Sequence, residues 1–151
     1  MTKGESIDLY NALHKVLNLK GVKFGYAISR NITLLKPEIQ ACQKAIDMSE
    51  EFQEFNKEHV ELMNKYEKKD EKGKAVMING EKQYDDELKE KFEKLKEKHK
   101  EAVDAREKQV KEFNELLKTD SDVQVYMLKL ENLPEDINAG QMAGISLILE
   151  E

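Results

Sequence analysis

One short segment of the sequence combines the side-chain types that proteins use to bind nucleotides: Lys23, Tyr26, Arg30 and Asn31. The tyrosine ring could stack on a planar base, the two cations could pair with phosphate, and the amide could bond to a base edge. These four residues are therefore our candidate ligand site. The same pattern also suits an amphipathic helix with its aromatic ring in the core. The residues alone favour this second interpretation, because no Gly-rich phosphate loop accompanies them.

Two histidines, His59 and His99, fall in helical stretches whose spacing predicts that they face each other. Two imidazoles in one layer could bind a transition metal, or could make stability sensitive to pH between about 5 and 7. Metal binding requires a third ligand, and the nearest carboxylates, Glu58 and Glu101, lie one position off that face. We therefore favour a polar layer that fixes the helical register, and we predict no metal site.

The remaining reactive side chains give little indication of catalysis. Cys42 lies in a helical pattern between Ile39 and Ile46, which favours a core position over a nucleophile. Arg106 is predicted to lie opposite Phe52, where it could stack on the ring or pair with Glu51. An interhelical salt bridge is favoured over an anion site. The sequence contains no phosphate-loop, nucleophile-elbow, zinc-protease or Cys-x-x-Cys motif. We predict a protein that is not an enzyme and has no cofactor.

Most of the apolar pattern follows two stretches with heptad spacing, whose alternating steps of three and four residues predict a coiled-coil seam. Folded at residues 70–86, the two stretches pair in order. The sequence therefore predicts a mainly α fold built on a long antiparallel coiled-coil hairpin, the arm, at residues 49–118. Its seam residues include Phe52, Phe55, His59, Leu62, Leu95, His99, Arg106 and Phe113.

At the tip of this arm, residues 75–84 predict a small β-hairpin, because Asn79-Gly80 supplies the positive φ angles of a type I′ turn. The second long helix should then run without a break to about Lys118. Residues 1–48 and 119–151 predict a helical body with short terminal helices and one short strand, from the alternation that begins at Val123. Pro37 either kinks a helix or begins a new one, and Glu38 beside it favours the second. We expect residues 1–151 to form a single domain.

Composition limits the classes of partner and compartment. Charged residues make up 37 % of the chain and the net charge is −6, which argues against a general nucleic-acid binder. One cysteine fits a reducing compartment, and no apolar run approaches the length of a membrane span. The N-terminus lacks the apolar stretch of a signal peptide. These features predict a cytoplasmic protein without membrane contact.

The phenylalanines predict self-association. A hairpin of two helices has one seam, which is too little to cover five bulky rings. Two hairpins that form a four-helix arrangement would cover them. We therefore expect a homo-oligomer with an even number of chains.

Two segments and the charged hairpin between them carry a resemblance. The first runs from Phe24 to Leu35 and into Lys36-Pro37-Glu38-Ile39. The second comprises residues 128–137, which read Leu-Lys-Leu-Glu-Asn-Leu-Pro-Glu-Asp-Ile. In this order, over most of the chain after residue 22, the protein resembles a family of small phage and prophage proteins of Gram-positive bacteria. The family has no assigned activity, so the resemblance transfers no functional residue. It implies a viral origin and action in the cytoplasm of the host bacterium.

These expectations together favour a phage accessory protein that oligomerises and binds either a nucleotide-like small molecule or a host defence protein. Such binding would counteract a bacterial defence system. The alternative is an assembly chaperone or minor virion structural protein that uses the arm as a clamp. In that case the tip from Met77 to Gln83 would be the contact.

Overall fold

The computed structural model describes residues 1–150, and within them the prediction of a mainly helical fold is confirmed. The helices are α1 (Lys3–Lys15), α2 (Val22–Ala45), α3 (Glu50–Tyr66), α4 (Glu87–Lys98), α5 (Lys100–Leu117) and α6 (Ala139–Gly144). The strands are β1 (Met77–Ile78), β2 (Glu81–Lys82), β3 (Leu128–Lys129) and β4 (Leu149–Glu150). Short 3₁₀ turns span Leu130–Asn132 and Ser146–Ile148.

The chain divides into two compact units. The first unit contains Met1–Ile46 and the chain from Glu112 onward, and the second contains Asp47–Lys111. The chain leaves the first unit close to the predicted start of the arm at residue 49. It returns to the first unit within α5, before the predicted end of the arm at residue 118.

The first unit is built on the packing of α1 against α2, with α6 against α1. A capping box starts α1: Thr2 accepts a hydrogen bond from the Glu5 amide, and the Glu5 carboxylate accepts one from Thr2. These bonds hold the pKa of Glu5 below its usual value. Strands β3 and β4 pair in parallel beside the helices. The buried apolar core comprises Leu9, Leu13, Val16, Phe24, Ala27, Ile28, Leu35, Ile39, Leu128, Ile145 and Ile148.

Helix α2 runs through Pro37 without ending, so the prediction that Pro37 begins a new helix is wrong. A proline inside a helix removes one backbone hydrogen bond. Here Leu35 and Ile39, on either side of it, are both buried in the core. We infer that this packing offsets the lost bond. Gly21 precedes the helix at φ +138°, a backbone conformation that favours glycine.

Asn31 joins α2 to the extended segment that follows α5. Its amide nitrogen donates to the Tyr126 carbonyl at 2.8 Å, and its amide oxygen accepts from the Tyr126 N–H at 2.7 Å. The strand predicted from the alternation at 123–127 is therefore displaced, since β3 begins only at Leu128. The alternation matches burial as far as Tyr126, because Val123 and Val125 are half-buried and Gln124 is exposed. It ends there, since Met127 is exposed and Leu128 is buried. An asparagine side chain, instead of a neighbouring strand, holds the backbone at Tyr126.

The second unit contains α3, β1, β2, α4 and part of α5. Ser49 caps α3 by accepting from the Phe52 N–H at 3.2 Å. Strands β1 and β2 pair antiparallel, with Asn79 at φ +52° and Gly80 at φ +82° between them. Isolated bridges pair the segment that follows α3 with the residues that flank the two strands, at Lys69 with Ala75 and at Glu67 with Tyr84.

The second long helix is interrupted at His99, which corrects the prediction of one helix to Lys118. His99 adopts φ −110° and ψ 26°, outside the helical region, and separates α4 from α5. The interruption is local, because the His99 N–H still bonds to the Leu95 carbonyl and the Val103 N–H to the His99 carbonyl. The His99 side chain, meanwhile, is held by Glu58, with Nε2 3.0 Å from Oε1.

The Asn31 bonds predict a measurable loss of stability. Asn31→Ala removes both bonds and leaves two backbone groups of Tyr126 without these partners, so we expect the free energy of unfolding to fall by about 2 kcal/mol. Urea denaturation followed by circular dichroism measures this change. Thr33→Ala is the matched control, because its hydroxyl is exposed and bonds only within α2, to Ser29. A loss for Asn31→Ala no larger than that of the control would contradict a structural role.

Candidate functional site

The structure brings two of the four predicted ligand residues into one cleft. Lys23 and Tyr26 line a surface cleft in the first unit, which we call the tyrosine cleft. Arg30 is exposed on α2 but does not line it. Asn31 is completely buried and both ends of its amide bond to Tyr126. The structure therefore gives Asn31 a structural role in place of the predicted ligand contact.

The tyrosine cleft lies between the first turns of α2 and the chain around β3. Tyr26 and Tyr126 meet edge to face, with ring centroids 5.5 Å apart and planes at 83°. Both rings remain accessible, at 58 % and 45 % exposure respectively. The cleft has a volume of about 470 Å³. Its lining residues are Val22, Lys23, Tyr26, Tyr126, Met127, Leu128, Lys129, Glu131, Asn132 and Glu150.

The cleft carries charges of both signs. Lys23 and Lys129 contribute ammonium groups, and Glu131 and Glu150 contribute carboxylates. The first turn of α2 adds a positive partial charge, because Gly21 provides no side-chain cap and no acidic residue lies in that turn. The cleft therefore offers cationic groups for an anion and carboxylates for a hydrogen-bond donor, beside two aromatic rings.

Sequence reasoning missed the residues of this cleft that lie outside α2. Tyr126, Lys129 and Glu150 are far from α2 in sequence, and the Asn31 bonds and the pairing of β3 with β4 position them. The available signal was the alternation at 123–127, which exposes Tyr126 on the side away from the core. That pattern gives no information on which helix lies beside the exposed ring.

The predicted seam residues of the second unit gather around Phe55, whose ring centroid is 5.4 Å from that of Phe52 and 5.8 Å from that of His99. Phe92 and His59 lie at 6.3 and 6.1 Å from it. Phe55 is buried, as is Leu95, and the other rings are half-buried. Together these side chains form an aromatic cluster that joins α3 to α4 and to His99.

The two histidines share Phe55 as a neighbour but differ in their other contacts. His59 stacks on Phe92 with centroids 4.5 Å apart, whereas His99 contacts Glu58 and Phe55. Within residues 1–150, no group of three or more potential ligands could hold a metal ion.

The other residues singled out from the sequence have structural surroundings. The Arg106 guanidinium lies 5.7 Å from the Phe52 ring centroid, a cation–π contact. Leu62 lines a groove with Leu95. Phe113 is half-buried in the part of α5 that belongs to the first unit. Cys42 is buried, and burial, with Glu38 nearby, raises the pKa of its thiol, which makes it a poor nucleophile.

Comparison of the chain with protein-family models, with curated proteins and with solved structures finds no match. None of the helices in residues 1–150 combines the length and apolar composition needed to cross a membrane. The assignment of function therefore depends on the geometry of the chain itself.

Glu58 predicts a pH dependence of stability. Hydrogen bonds from Lys98 and then from His99 hold the pKa of Glu58 below its usual value. A carboxylate whose pKa is lower in the folded state than in the unfolded state stabilises the fold. This stabilisation is present at pH values above the unfolded pKa, about 4.3, and is lost as the pH falls through the lower pKa of the folded state. We expect the melting temperature of wild type to exceed that of Glu58→Gln at neutral pH.

The difference in melting temperature should shrink as pH falls below about 4.3. Thermal denaturation from neutral to acidic pH measures it. Glu61→Gln is the control, since Glu61 lines the same groove but forms no salt bridge among the described residues. A difference in melting temperature that stays constant across this range would show that the charge of Glu58 does not stabilise the fold.

Proposed function

We propose that this protein binds a small ligand that carries both a planar aromatic group and an anionic group, of the nucleotide class, in the tyrosine cleft. The observation that carries the proposal is the pair of accessible rings, Tyr26 and Tyr126, beside two lysines in one cleft. Aromatic rings stack on nucleobases without requiring a particular base. Lysine attracts phosphate as a point charge.

The size and the acidic residues of the cleft are consistent with this ligand class. Ligand sites in proteins commonly measure about 300–1,000 Å³, and the tyrosine cleft, at about 470 Å³, falls in this range. Glu131 and Glu150 could accept hydrogen bonds from an exocyclic amine or from ribose hydroxyls. These carboxylates would also repel a ligand that carries phosphate groups along its whole length. The repulsion favours a ligand whose anionic group is at one end and whose neutral polar groups are at the other.

The biological role that we propose is binding without catalysis. A phage protein that sequesters a nucleotide signal would counteract a defence system of the host bacterium. We further propose that α3, β1, β2, α4 and α5 form the long hairpin arm with the β-hairpin at its tip. Two chains that pair their arms would give the even-numbered oligomer expected from the phenylalanines.

Substitutions in the tyrosine cleft test the proposal. The measurement is isothermal titration calorimetry against a panel of nucleoside monophosphates and cyclic dinucleotides. Tyr126→Ala should weaken binding about tenfold to a hundredfold, because one stacking surface is lost. Lys23→Gln should weaken it less and should reduce its dependence on salt. Lys36→Gln is the matched control, an exposed lysine of α2 outside the cleft.

Two results would contradict this site. Binding that survives Tyr126→Ala, while circular dichroism shows an intact fold, would exclude stacking on this ring. Loss of binding in Arg30→Ala together with full binding in Lys23→Gln would place the ligand further along α2, outside the cleft.

A second candidate function, a clamp that acts in virion assembly, is favoured by one observation at β1. Met77 and Ile78 are 53 % and 55 % exposed. As successive residues of a strand they present one apolar side chain on each face of the hairpin, where a partner that grips both faces would cover them. In this alternative the hairpin would hold another protein.

Point substitutions test this alternative better than a deletion, because removing residues 75–84 would also break the bridges of Ala75 and Tyr84. Met77→Ser with Ile78→Ser should abolish co-purification of virion proteins from phage-infected cells, while leaving the helical signal unchanged. Val60→Ser is the control, since Val60 is equally exposed at 55 % but lies in α3. Co-purification that survives the double substitution would exclude the hairpin as the contact.

A further inference from the structure

A second groove, in the unit formed by Asp47–Lys111, has a composition unlike that of the tyrosine cleft. Its floor is apolar and is formed by Leu62 of α3 and Leu95 of α4. Four lysines stand around this floor: Lys65, Lys91, Lys94 and Lys98. We call it the lysine groove. Its volume is about 400 Å³, and its accessible surface is mostly apolar.

The acidic residues of the groove are fewer and are partly neutralised. Glu58 is bonded by Lys98 at 2.8 and 2.9 Å and by His99 at 3.0 Å. Glu61 is the other carboxylate of the lining. The groove therefore keeps a local positive charge, although the chain as a whole carries −6.

Two of the lysines remain open to an external anion. Among the described residues, Lys65 and Lys91 form no salt bridge with a carboxylate. The Lys65 ammonium lies 5.4 Å from the centroid of the Tyr66 ring. Lys94 pairs with Glu90 on its own helix, at 2.6 Å, where both groups are largely exposed. An exposed pair of this kind is weak and exchanges readily for a better partner.

The spacing of these residues matches a helix as the occupant. Lys91, Lys94 and Lys98 follow one another at three and four residues, along one side of α4. An acidic helix that lies along the groove would present carboxylates at the same spacing. Apolar side chains between those carboxylates would cover the half-buried Leu62 and the alkyl stems of the lysines, as an amphipathic helix does in an apolar groove, while Leu95 is already buried. Leu62 and the lysines thus require the two halves of one amphipathic pattern.

We propose that the lysine groove is the docking site for an acidic amphipathic helix of a partner protein. The lysines around the groove complement the carboxylates of such a helix. A nucleic-acid strand fits less well, because the lining offers no aromatic ring on which bases could stack. The proposal does not depend on the ligand of the tyrosine cleft, which belongs to the other unit.

A synthetic peptide tests the proposal directly. The probe is a fluorescent 21-residue helix with leucine at the seam positions of three heptads and glutamate beside them. We expect fluorescence anisotropy to show saturable binding to the full chain that weakens as salt is raised. The same peptide with serine in place of leucine should bind about tenfold more weakly or not at all, because the apolar contact is lost.

Charge reversal on the protein locates the site. Lys65→Glu with Lys91→Glu should weaken binding of the leucine peptide about tenfold or more. Lys57→Glu with Lys100→Glu is the matched control: it changes the net charge equally on α3 and α5, outside the groove. Circular dichroism checks that each variant is folded. If a variant is unfolded, the comparison of the leucine and serine peptides on the wild-type chain still tests the apolar contact.

Four outcomes would overturn the proposal. Equal binding of the leucine and serine peptides would indicate a site for any polyanion. Tighter binding of a 20-nucleotide single-stranded DNA would indicate nucleic acid. Equal weakening by the control pair would show that net charge, and not the groove, attracts the peptide. Dissociation of a self-assembled oligomer by the Lys65 and Lys91 substitutions, without peptide binding in wild type, would identify a second copy of the chain as the occupant.

Discussion

The tyrosine cleft depends on the pair of hydrogen bonds between the Asn31 amide and the backbone of Tyr126. The amide replaces the strand that would otherwise satisfy this N–H and C=O, and both bonds are short at 2.7 and 2.8 Å. Once Tyr126 is fixed, the alternation of an extended chain turns Val125 toward the core and the Tyr126 ring outward, beside Tyr26. Two residues later Leu128 is buried and pairs with Leu149. One buried amide thus positions both a tyrosine of the cleft and the start of β3.

The second unit has an equivalent constraint in Phe55. Its ring is the one aromatic side chain of the cluster that is buried, and it contacts rings from α3, from α4 and at His99. Aromatic pairs add about 0.5–1.5 kcal/mol beyond the apolar area that they bury. The bond between His99 and Glu58 lies at the residue where the helix is interrupted. A polar contact at the end of an aromatic cluster thus coincides with the boundary between α4 and α5.

Sequence reasoning succeeded where the determinant is local and failed where it is distant. Heptad spacing placed α3 and α4, and Asn79-Gly80 located the turn between β1 and β2, because both depend on neighbouring residues. The bonding partner of Asn31 could not be predicted, because the sequence pattern around a polar helical residue is the same whether its side chain bonds to water or to a backbone 95 residues away. Pro37 was misread because the packing of Leu35 and Ile39 overrides a local preference. The residues of the tyrosine cleft outside α2 could not be predicted either, because they approach α2 only in the folded chain.

Net charge illustrates why a global property of the sequence does not decide a local site. The charge of −6 argues against a general polyanion binder, yet the lysine groove presents four ammonium groups around two leucines. At physiological ionic strength, interactions between exposed charges are largely screened beyond about 8 Å. A ligand that touches the groove therefore responds to the lysines within that distance and only weakly to the acidic residues elsewhere. Apolar contact is not screened, so an acidic partner that also covers Leu62 gains over one that offers charge alone.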